Sequence, residues 1–328
     1  MASMMASYRA SPLVEFVEND TYVYATANPN DQFYNLQWHY PAISLPAAWD
    51  VVTGPNCVIV AVLDTGIRPH QDLTWVAGFD FFSNDVDPLD PGCFSNPTDF
   101  SHGMHIAGTI AALTNNSIGV AGVNWGGVQI MPLRVLGESG GTCGVGTASM
   151  VADALVYATD NGAKVANMSF AGPASATLES GVNYAYARGV TLVAAAGNEN
   201  TNIDPGSYPA GYANVIAVGA TNCNNARASY SNFGIQLDLM APGGEGANCQ
   251  ILSASWSLAT GEGYYTGSGT SFSVPHVSGL AALVIARGIT GPANIQNRLQ
   301  STATNLGSPG WDALTGWGLV NAAAAVGP

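Results

Sequence analysis

The segment that decides the fold spans residues 57–66 and reads Cys-Val-Ile-Val-Ala-Val-Leu-Asp-Thr-Gly. Its apolar run has no polar interruption and ends at Asp64, just before a glycine. Such a run favours a strand that is buried on both faces, as in a parallel sheet. A carboxylate at the end of a buried strand is costly unless it is paired or functional. Asp64 is therefore a candidate catalytic residue, although capping of a turn at Gly66 explains it equally well.

Apolar runs of the same kind recur along the chain and alternate with segments of helical spacing. The predicted strands are Val58–Leu63, Val128–Leu136, Ala163–Ser169, Thr191–Ala196 and Val215–Ala220. The predicted helices are His102–Leu113, Thr147–Asn161, Ala176–Arg188, Ser271–Arg287 and Pro292–Ser301. This alternation predicts an α/β fold with a doubly wound, mostly parallel sheet flanked by helices, and an active site beyond the carboxyl ends of the strands. Surface loops are predicted at Asp85–Asp99, Asn198–Pro209 and Ala241–Gly269, which are rich in Gly, Pro and Asn.

The composition excludes several classes of protein. Of the 328 residues, 47% are hydrophobic and 9% charged, so the chain can bury a large core and is not disordered. Eight Lys and Arg residues stand against 22 Asp and Glu, a formal charge of −14, which argues against a nucleic-acid partner. No apolar run reaches the length of a membrane span, so no membrane association is expected.

The five histidines allow a search for a catalytic base. His102 and His105 lie three residues apart at the start of an apolar helix, a spacing that suggests a metal pair, but no third ligand accompanies them. His276 follows Pro275 within a predicted helix and is interpreted as a buried core residue. Ser271 follows a glycine-rich turn and opens a helix, where developing negative charge is favoured. Taken alone, such a serine is more often a helix cap.

The three segments together resemble the subtilisin-like serine proteases, the subtilase family, in its extracellular bacterial and thermitase-like branch. The matching motifs are Asp64-Thr-Gly, Ser101-His-Gly-Met-His-Ile-Ala-Gly-Thr109 and Gly269-Thr-Ser-Phe-Ser-Val-Pro-His-Val-Ser-Gly279, in the order Asp, His, Ser. The resemblance runs from about Asn28 to the end of the chain. It implies a secreted serine endopeptidase of broad specificity that acts through an acyl-enzyme. A specific, kexin-like processing protease and a catalytically inactive binding relative remain as alternatives.

The resemblance also implies roles for individual residues. Ser271 is expected to be the nucleophile, His102 the base, Asp64 its orienting carboxylate, and Asn198 the side-chain donor of the oxyanion hole. The substrate-binding residues are expected to be Ser169, Phe170, Ala171, Gly172, Ala196, Gly197, Glu199 and Ser207, with a preference for neutral or apolar side chains in the first pocket. Three residues depart from the usual family pattern and are expected to change rate and pocket shape: Met104, Phe170 and Phe272.

Structural calcium is the only cofactor that the resemblance implies, with no catalytic metal. The loop Leu113–Val120 resembles the family's calcium loop. Its expected ligands are Asp31, Asp72, Asn116 and the carbonyl oxygens of Leu113, Ile118 and Val120. A second site with Asp80, Asp85 and Asp87 is the weaker of the two, because Ser83 replaces a usual aspartate. Turns without metal are the alternatives at both places.

The N-terminal residues and the cysteines lead to further predictions. Residues 1–25 are interpreted as a start added for expression followed by a remnant of the inhibitory propeptide, cleaved near Ala25–Asn28, and residues 26–328 as the catalytic domain. The propeptide and polypeptide substrates are the expected partners of a monomer. Cys57 is predicted to be a buried free thiol, whereas the other cysteines lie in loops suited to disulfides and favour an oxidising compartment. The resemblance implies the pairs Cys93–Cys143 and Cys223–Cys249.

Overall fold

The computed structural model describes residues 8, 10–17, 28–54 and 57–327. The strands are β1 Val58–Asp64, β2 Phe79–Asp80, β3 Val128–Arg134, β4 Gly137–Ser139, β5 Thr142–Val145, β6 Val165–Met168, β7 Thr191–Ala195, β8 Ile216–Thr221, β9 Leu237–Pro242, β10 Ile251–Ser257 and β11 Gly261–Gly267. The helices are α1 His39–Ala42, α2 Leu45–Trp49, α3 His102–Ala111, α4 Ala148–Asp160, α5 Ala176–Ala187, α6 Ile203–Gly206, α7 Thr270–Ala286, α8 Pro292–Ser301 and α9 Ala322–Val326. A short 3₁₀ helix at Tyr34–Leu36 precedes α1.

The main sheet has seven parallel strands in the order β2-β3-β1-β6-β7-β8-β9. Strand β1 is central, with Leu63 opposite Leu133 of β3 on one side and Met168 of β6 on the other. After β1 the chain forms β2 at one edge and places β3 between β2 and β1, and it then returns to build in the opposite direction from β6. The predicted doubly wound α/β fold is confirmed, and its switch point lies between β1 and β6, where such sheets open a crevice.

The sheet is covered on both faces, and β1 shows why. Val60 and Val62 belong to one apolar core, which includes residues of α3, α7 and α9. Ala61 and Leu63 belong to the other, which includes residues of α4 and α5. Because successive side chains of a strand point to opposite faces, an uninterrupted apolar run is what a doubly covered strand requires.

The prediction of a loop at Ala241–Gly269 was wrong. Strand β9 ends inside it, and β10 and β11 pair there as an antiparallel hairpin with Ile251 opposite Gly267. The richness of the segment in Gly, Pro and Asn had suggested a loop, yet the serines of β10 are buried, and Ser255 donates its hydroxyl hydrogen bond to the carbonyl oxygen of Ser101 at 2.7 Å. Buried hydroxyl groups with partners are compatible with a core strand.

The two predicted disulfides, Cys93–Cys143 and Cys223–Cys249, are present. The prediction that Cys57 is buried was wrong, since this free cysteine is exposed. Strand β1 begins only at Val58, and Cys57 precedes it with a φ of 71°, which turns its side chain away from the sheet. Among the described residues, no helix is both long and apolar enough to cross a membrane.

Candidate active site

The carboxyl end of β1 and the start of α3 bring Asp64 and His102 together. The Nδ1 atom of His102 lies 2.8 Å from Oδ1 and 3.0 Å from Oδ2 of Asp64. Asp64 is fully buried, whereas the His102 side chain keeps 28% of its surface exposed. The backbone N–H of Thr65 also donates to Asp64 Oδ1, at 2.8 Å. A fixed carboxylate thus holds one ring nitrogen of an imidazole whose other side reaches solvent.

The electrostatic surroundings separate His102 from its neighbour His105. Burial acts to lower the pKa of His102, but the negative charge and hydrogen bond of Asp64 outweigh it, and the pKa is raised. Burial, together with the charge of His102, lowers the pKa of His105 to about 3. The Nε2 atom of His105 lies 3.1 Å from the carbonyl oxygens of Ile251 and Tyr265. His105 is a buried neutral residue, and His102 is the group able to exchange protons.

Ser271 lies in the first turn of α7 and is tied to the end of β6. Its Oγ donates to the carbonyl oxygen of Ser169 at 3.0 Å, and Ser169 Oγ donates back to the carbonyl oxygen of Ser271 at 2.8 Å. Pro275 has no N–H, so the Ser271 carbonyl lacks its usual helical donor four residues later. Ser169 supplies the missing hydrogen bond and thereby fixes the start of α7 against the sheet.

Asn198 follows β7 and faces the same helix start. Its Oδ1 accepts hydrogen bonds from the N–H of Thr270 at 2.8 Å and from Thr270 Oγ1 at 2.9 Å. This orientation leaves the Nδ2 group as a donor. The N–H of Ser271 lies in the first turn of α7, where backbone N–H groups have no acceptor within the helix. The two donors are therefore available to an oxyanion beside Ser271.

The residues expected to pair with an extended peptide differ in their availability. Gly172 is already paired, since it exchanges two backbone hydrogen bonds of 2.9 Å with Tyr208. Ala171 is exposed and its backbone has no hydrogen-bond partner among the described residues. Phe170 is half-buried and packs on the core beside α4 and α5. An extended peptide can therefore pair with the backbone of residues 170–171, and the bulky ring of Phe170 lies next to it.

The residues expected around the first pocket meet at Asn232. Its Nδ2 donates to Glu199 Oε2 at 2.7 Å and to Ser207 Oγ at 3.0 Å. Glu199 Oε2 also accepts the N–H of Asn198 at 2.8 Å. A Cβ at Gly197 would lie 2.3 Å from Asn232 Nδ2, so only glycine fits there. Ala196, the fourth of these residues, is fully buried and continues β7 toward this group.

A cavity of about 260 Å³ opens beside His102. Ser169 and Phe170 line it together with Leu136 and Phe100, whereas the Asn232 group does not. Asp99 and Glu138 add carboxylates to the lining, and the Cys93–Cys143 disulfide closes its far side. Of the expected substrate residues, the cavity lining thus includes Ser169 and Phe170 and not those that meet at Asn232.

The two departures next to the catalytic residues have different surroundings. Met104 is a residue of α3, and its side chain is fully buried in the core on one face of the sheet. The Phe272 ring lies 5.4 Å from the His102 ring and 4.7 Å from the His105 ring, measured between centroids. Phe272 therefore packs against the imidazole of His102, which Met104 does not reach.

The loop after α3 fits a cation at Asp31. Asp31 Oδ2 accepts the N–H of Asn115 at 2.7 Å, but its Oδ1 is buried and has no hydrogen-bond partner within the described part of the chain. The carboxylate of Asp72 accepts Asn116 Nδ2 at 2.8 Å and the N–H of Val120 at 3.0 Å. Burial raises the pKa of both carboxyl groups. Two buried carboxylates, one with an orphaned oxygen, beside a loop that contributes backbone carbonyl groups suit the oxygen-rich shell that Ca²⁺ prefers.

The second expected calcium loop does not fit a metal. Asp80 is buried and forms an ion pair with Arg134, whose NH1 atom lies 2.5 Å from Oδ2. Its Oδ1 accepts the N–H groups of Phe82 and Ser83 at 2.8 and 2.9 Å. Asp85 and Asp87 bind backbone N–H groups of their own turn. The guanidinium of Arg134 supplies the positive charge that a cation would otherwise bring, and we assign no metal here.

Sequence reasoning missed Asp90, a buried carboxylate that contacts the residues next to Asp64 and His102. Its Oδ2 accepts hydrogen bonds from Thr65 Oγ1 and Ser101 Oγ, both at 2.6 Å. The segment Asp85–Asp99 reads as a turn-rich loop, and no motif in it distinguishes Asp90 from its acidic neighbours. Only the fold brings the three side chains together.

An Asp–His pair, a serine at a helix start and N–H groups beside it, beyond the carboxyl ends of a parallel sheet, form the arrangement expected of a serine hydrolase. The sequence profile of the Subtilase family matches residues 56–318. The chain belongs to the subtilase family, and the predicted serine endopeptidase class is thereby confirmed.

Relatives of this family cover most of the chain. An "Extracellular protease" of Xanthomonas campestris pv. campestris is 40% identical over 99% of this chain and 61% of its own length. "Subtilisin Savinase" of Lederbergia lenta is 44% identical over 89% of this chain and 98% of its own. Among solved structures, a protease from Pseudoalteromonas arctica superposes with a TM-score of 0.82 at 37% identity, over 92% of this chain and 99% of that one. The chain thus spans less than two thirds of the Xanthomonas relative and nearly all of the Lederbergia one.

Proposed function

We propose that this chain is a secreted endopeptidase that hydrolyses peptide bonds of proteins with broad specificity, with Ser271, His102 and Asp64 as its catalytic residues. The observation that carries the proposal is the pair of contacts at 2.8 and 3.0 Å between His102 Nδ1 and the Asp64 carboxylate. These contacts lie at the carboxyl end of β1, and Ser271 is hydrogen-bonded to Ser169 at the carboxyl end of the neighbouring strand β6. Secretion and broad specificity are supported by relatives named extracellular and alkaline proteases.

The reaction begins with a rotation of the serine hydroxyl. Ser271 Oγ leaves the carbonyl oxygen of Ser169 and donates its proton to Nε2 of His102, while Oγ forms a bond to the carbonyl carbon of the peptide. Asp64 keeps Nδ1 protonated, which leaves Nε2 free to accept the proton, and stabilises the imidazolium that results. His102 then gives the proton to the leaving amine as the C–N bond breaks, which leaves an acyl-enzyme. Water, deprotonated by His102, releases the acid by the reverse sequence.

The negative charge that develops on the carbonyl oxygen is met by Asn198 Nδ2 and the N–H of Ser271. Both donors are oriented before substrate arrives, because Thr270 holds Asn198 Oδ1 and the helix fixes the Ser271 amide. Preorganised donors need no rearrangement at the moment of reaction, and this is usually the largest single contribution to catalysis.

The specificity follows from the two groups of residues beside Ser271. The substrate chain pairs with the free backbone at residues 170–171, and its side chain before the scissile bond enters the pocket of Ala196, Gly197 and Ser207. Ala196, Gly197 and Ser207 are uncharged, and Glu199 stands at the margin with its Oε2 turned to Asn198 and Asn232. We therefore infer a preference for neutral or apolar residues at this position. No observation favours a kexin-like processing protease or an inactive relative.

A fluorophosphonate probe tests the activity. It should label the wild-type protein in the presence of calcium and fail to label Ser271→Ala. A digest of unfolded casein, with the cut sites mapped by mass spectrometry, should show cleavage after varied neutral side chains. Absence of labelling in folded, calcium-loaded wild type would contradict the enzyme, and cleavage confined to paired basic residues would contradict broad specificity.

A calcium ion at the loop after α3 has a structural role in this proposal. Asp31, Asp72, Asn116 and the carbonyl oxygens of Leu113, Ile118 and Val120 would hold it. The bound ion would neutralise two buried carboxylates and tie residues 28–31 to the helix that carries His102. It takes no part in the chemistry.

The N-terminal residues are proposed to be a propeptide remnant that occupies the substrate groove before cleavage. Leu13 and Phe16 are 94% and 73% exposed, so this segment does not add to the core. The expected cleavage region near Ala25–Asn28 lies largely outside the described residues. N-terminal sequencing after incubation with calcium should find a new end there, and an unchanged N-terminus would contradict the processing.

A further inference from the structure

Asp90 is almost completely buried, at 4% exposure, in the loop that leads from β2 to α3. Its backbone N–H donates to the carbonyl oxygen of Ile67 at 2.9 Å, which fixes it beside the end of β1. Its Oδ1 accepts the N–H of Gly92 at 2.8 Å, and its Oδ2 accepts two hydroxyl groups, those of Thr65 and Ser101, at 2.6 Å each. Every partner of the carboxylate is a neutral donor.

The two hydroxyl groups belong to the neighbours of the catalytic residues. Thr65 follows Asp64, and its Oγ1 accepts the N–H of Gly103 at 3.0 Å. Ser101 precedes His102 at the N-cap of α3, yet its side chain makes no capping hydrogen bond. A serine at this position normally caps its own helix. Here its hydroxyl goes to Asp90, and Thr65 supplies the cap for α3 from across the site.

These contacts form one chain of hydrogen bonds between β1 and α3. It runs from Gly103 N–H through Thr65 Oγ1 to the Asp90 carboxylate, and from there to Ser101. Hydrogen bonds to a charged acceptor are shorter and stronger than those between neutral groups. These hydrogen bonds therefore fix the end of β1 relative to the start of α3. The separation of these two points sets the distance between His102 Nδ1 and the Asp64 carboxylate.

The charge of Asp90 has no cationic partner of its own among the described residues. The nearest cation, Arg68, donates through Nε to the Asp90 backbone carbonyl oxygen at 2.6 Å and places its guanidinium over the Trp256 ring. Asp90 also lines the same cavity as His102. Against burial, which lowers it, the pKa of His102 is raised by Asp64, by Asp99 and by the negative charge of Asp90.

We propose, given the serine peptidase function above, that Asp90 is a positioning residue: it holds Thr65 and Ser101 so that Asp64 and His102 stay in register, and its charge favours the imidazolium that forms during catalysis. It touches neither substrate nor reacting atoms. The charged and titratable groups that face His102 are Asp64 from β1, His105 from α3, Asp90 and Asp99 from the preceding loop, and Arg134 and Glu138 across the cavity.

Asp90→Asn tests both parts of the proposal. The variant keeps one acceptor oxygen and removes the charge. We expect kcat/KM on a peptide anilide to fall about ten- to a hundredfold, since hydrogen bonds to a charged group are at stake. The acid limb of kcat/KM should also move to lower pH, because loss of a negative charge makes protonated His102 less favourable.

Thr65→Val and Thr65→Ser separate positioning from charge. Valine removes the hydroxyl and keeps Asp90 charged, so kcat should fall while the acid limb moves less than in Asp90→Asn. Serine restores the hydroxyl and should restore kcat. This pair keeps the test decisive even when Asp90→Asn does not fold, because equal kcat values for the two variants would overturn the positioning role.

A matched control is Asp312→Asn, which alters a carboxylate that also binds a threonine hydroxyl and backbone N–H groups, but near the C-terminus. It should leave the acid limb in place. A folded Asp90→Asn variant with wild-type kcat/KM and an unmoved acid limb would overturn the inference. Labelling of wild type by a fluorophosphonate is measured in parallel, so a failure of the enzyme assignment itself would be recognised separately.

Discussion

Thr270 holds Asn198, the proposed oxyanion donor, and the replacement of Thr270 by valine measures how much that support contributes. Valine has the shape of threonine, so packing is kept. The change removes the 2.9 Å hydrogen bond from Oγ1 to Asn198 Oδ1 and leaves the 2.8 Å bond from the backbone N–H of residue 270. Asn198 thus loses one of its two anchors, and Nδ2 samples positions away from the oxyanion.

The magnitude follows from the number of bonds lost. One neutral hydrogen bond contributes about 0.5–1.5 kcal/mol net. Each 1.4 kcal/mol in the barrier is about tenfold in rate. We expect kcat to fall about two- to tenfold with KM nearly unchanged, since the donor acts on the transition state. Complete loss of the asparagine costs more: in subtilisin, where this effect was characterised, the loss is about 10²–10³ in kcat.

The variant should also be less stable. Thr270 Oγ1 accepts the N–H of Gly197 at 3.2 Å, and both residues are buried. An unsatisfied buried N–H costs about 1–3 kcal/mol. Thermal denaturation would report this cost independently of the kinetics.

The assay is steady-state hydrolysis of a peptide anilide by wild type, Thr270→Val, Asn198→Ala and the double variant. In the Asn198→Ala background, Thr270→Val should have no further effect on kcat, because its target is gone. Thr191→Val is the matched control, since it removes a buried hydroxyl of β7 for which the residues that the structure describes provide no hydrogen-bond partner. Wild-type kcat in Thr270→Val, or additive losses in the double variant, would refute the reasoning.

Four further predictions concern other parts of the molecule. The acid limb of kcat/KM should lie above the ordinary histidine pKa of about 6.5, because the pKa of His102 is raised and activity is lost as pH falls through it; a limb well below 6 would contradict this. With calcium at 100 times its dissociation constant, wild type should gain about 2.7 kcal/mol over its chelated form, whereas Asp31→Asn should gain little in the same calorimetric titration. Cys57 should react with a thiol reagent in the native protein, and Cys57→Ser should shift the free energy of unfolding by less than about 0.5 kcal/mol. An unreactive thiol or a larger shift would show that the side chain is buried. Phe272→Met should make activity sensitive to peroxide where wild type resists, and equal sensitivity of the two proteins would mean that oxidation acts elsewhere.

The parts of the fold that the sequence predicted are those with long, nearly uninterrupted apolar runs. Val58–Leu63 is apolar throughout because both faces of β1 are covered, and the same reason makes α7 apolar on all sides. The hairpin of β10 and β11 was missed because its buried positions hold serines and glycines, whose burial depends on acceptors contributed by distant residues such as Ser101. Composition alone does not reveal such acceptors.

The residues of the candidate site also divide into those that the sequence indicated and those that it did not. Asp64, His102 and Ser271 each lie in a short motif from which a role can be predicted, and these roles, like that of Asn198, stay predictions. Asp90 was missed because its function depends on two hydroxyl groups, 25 and 11 residues away, that only the fold brings to it. Cys57 was misplaced because an apolar run does not mark which of its residues begins the strand.

The exchange of hydrogen bonds between Ser169 and Ser271 also bears on protein engineering. Replacing a proline inside a helix by alanine ordinarily restores a backbone hydrogen bond and stabilises the protein by up to about 3 kcal/mol. At Pro275 that new N–H would compete with Ser169 Oγ for the carbonyl oxygen of Ser271. The nucleophile would then take its position from its own helix and lose its direct link to the strand that receives substrate. A stabilised but slower enzyme is the expected product of this substitution, so Pro275 is a poor choice for thermostabilisation.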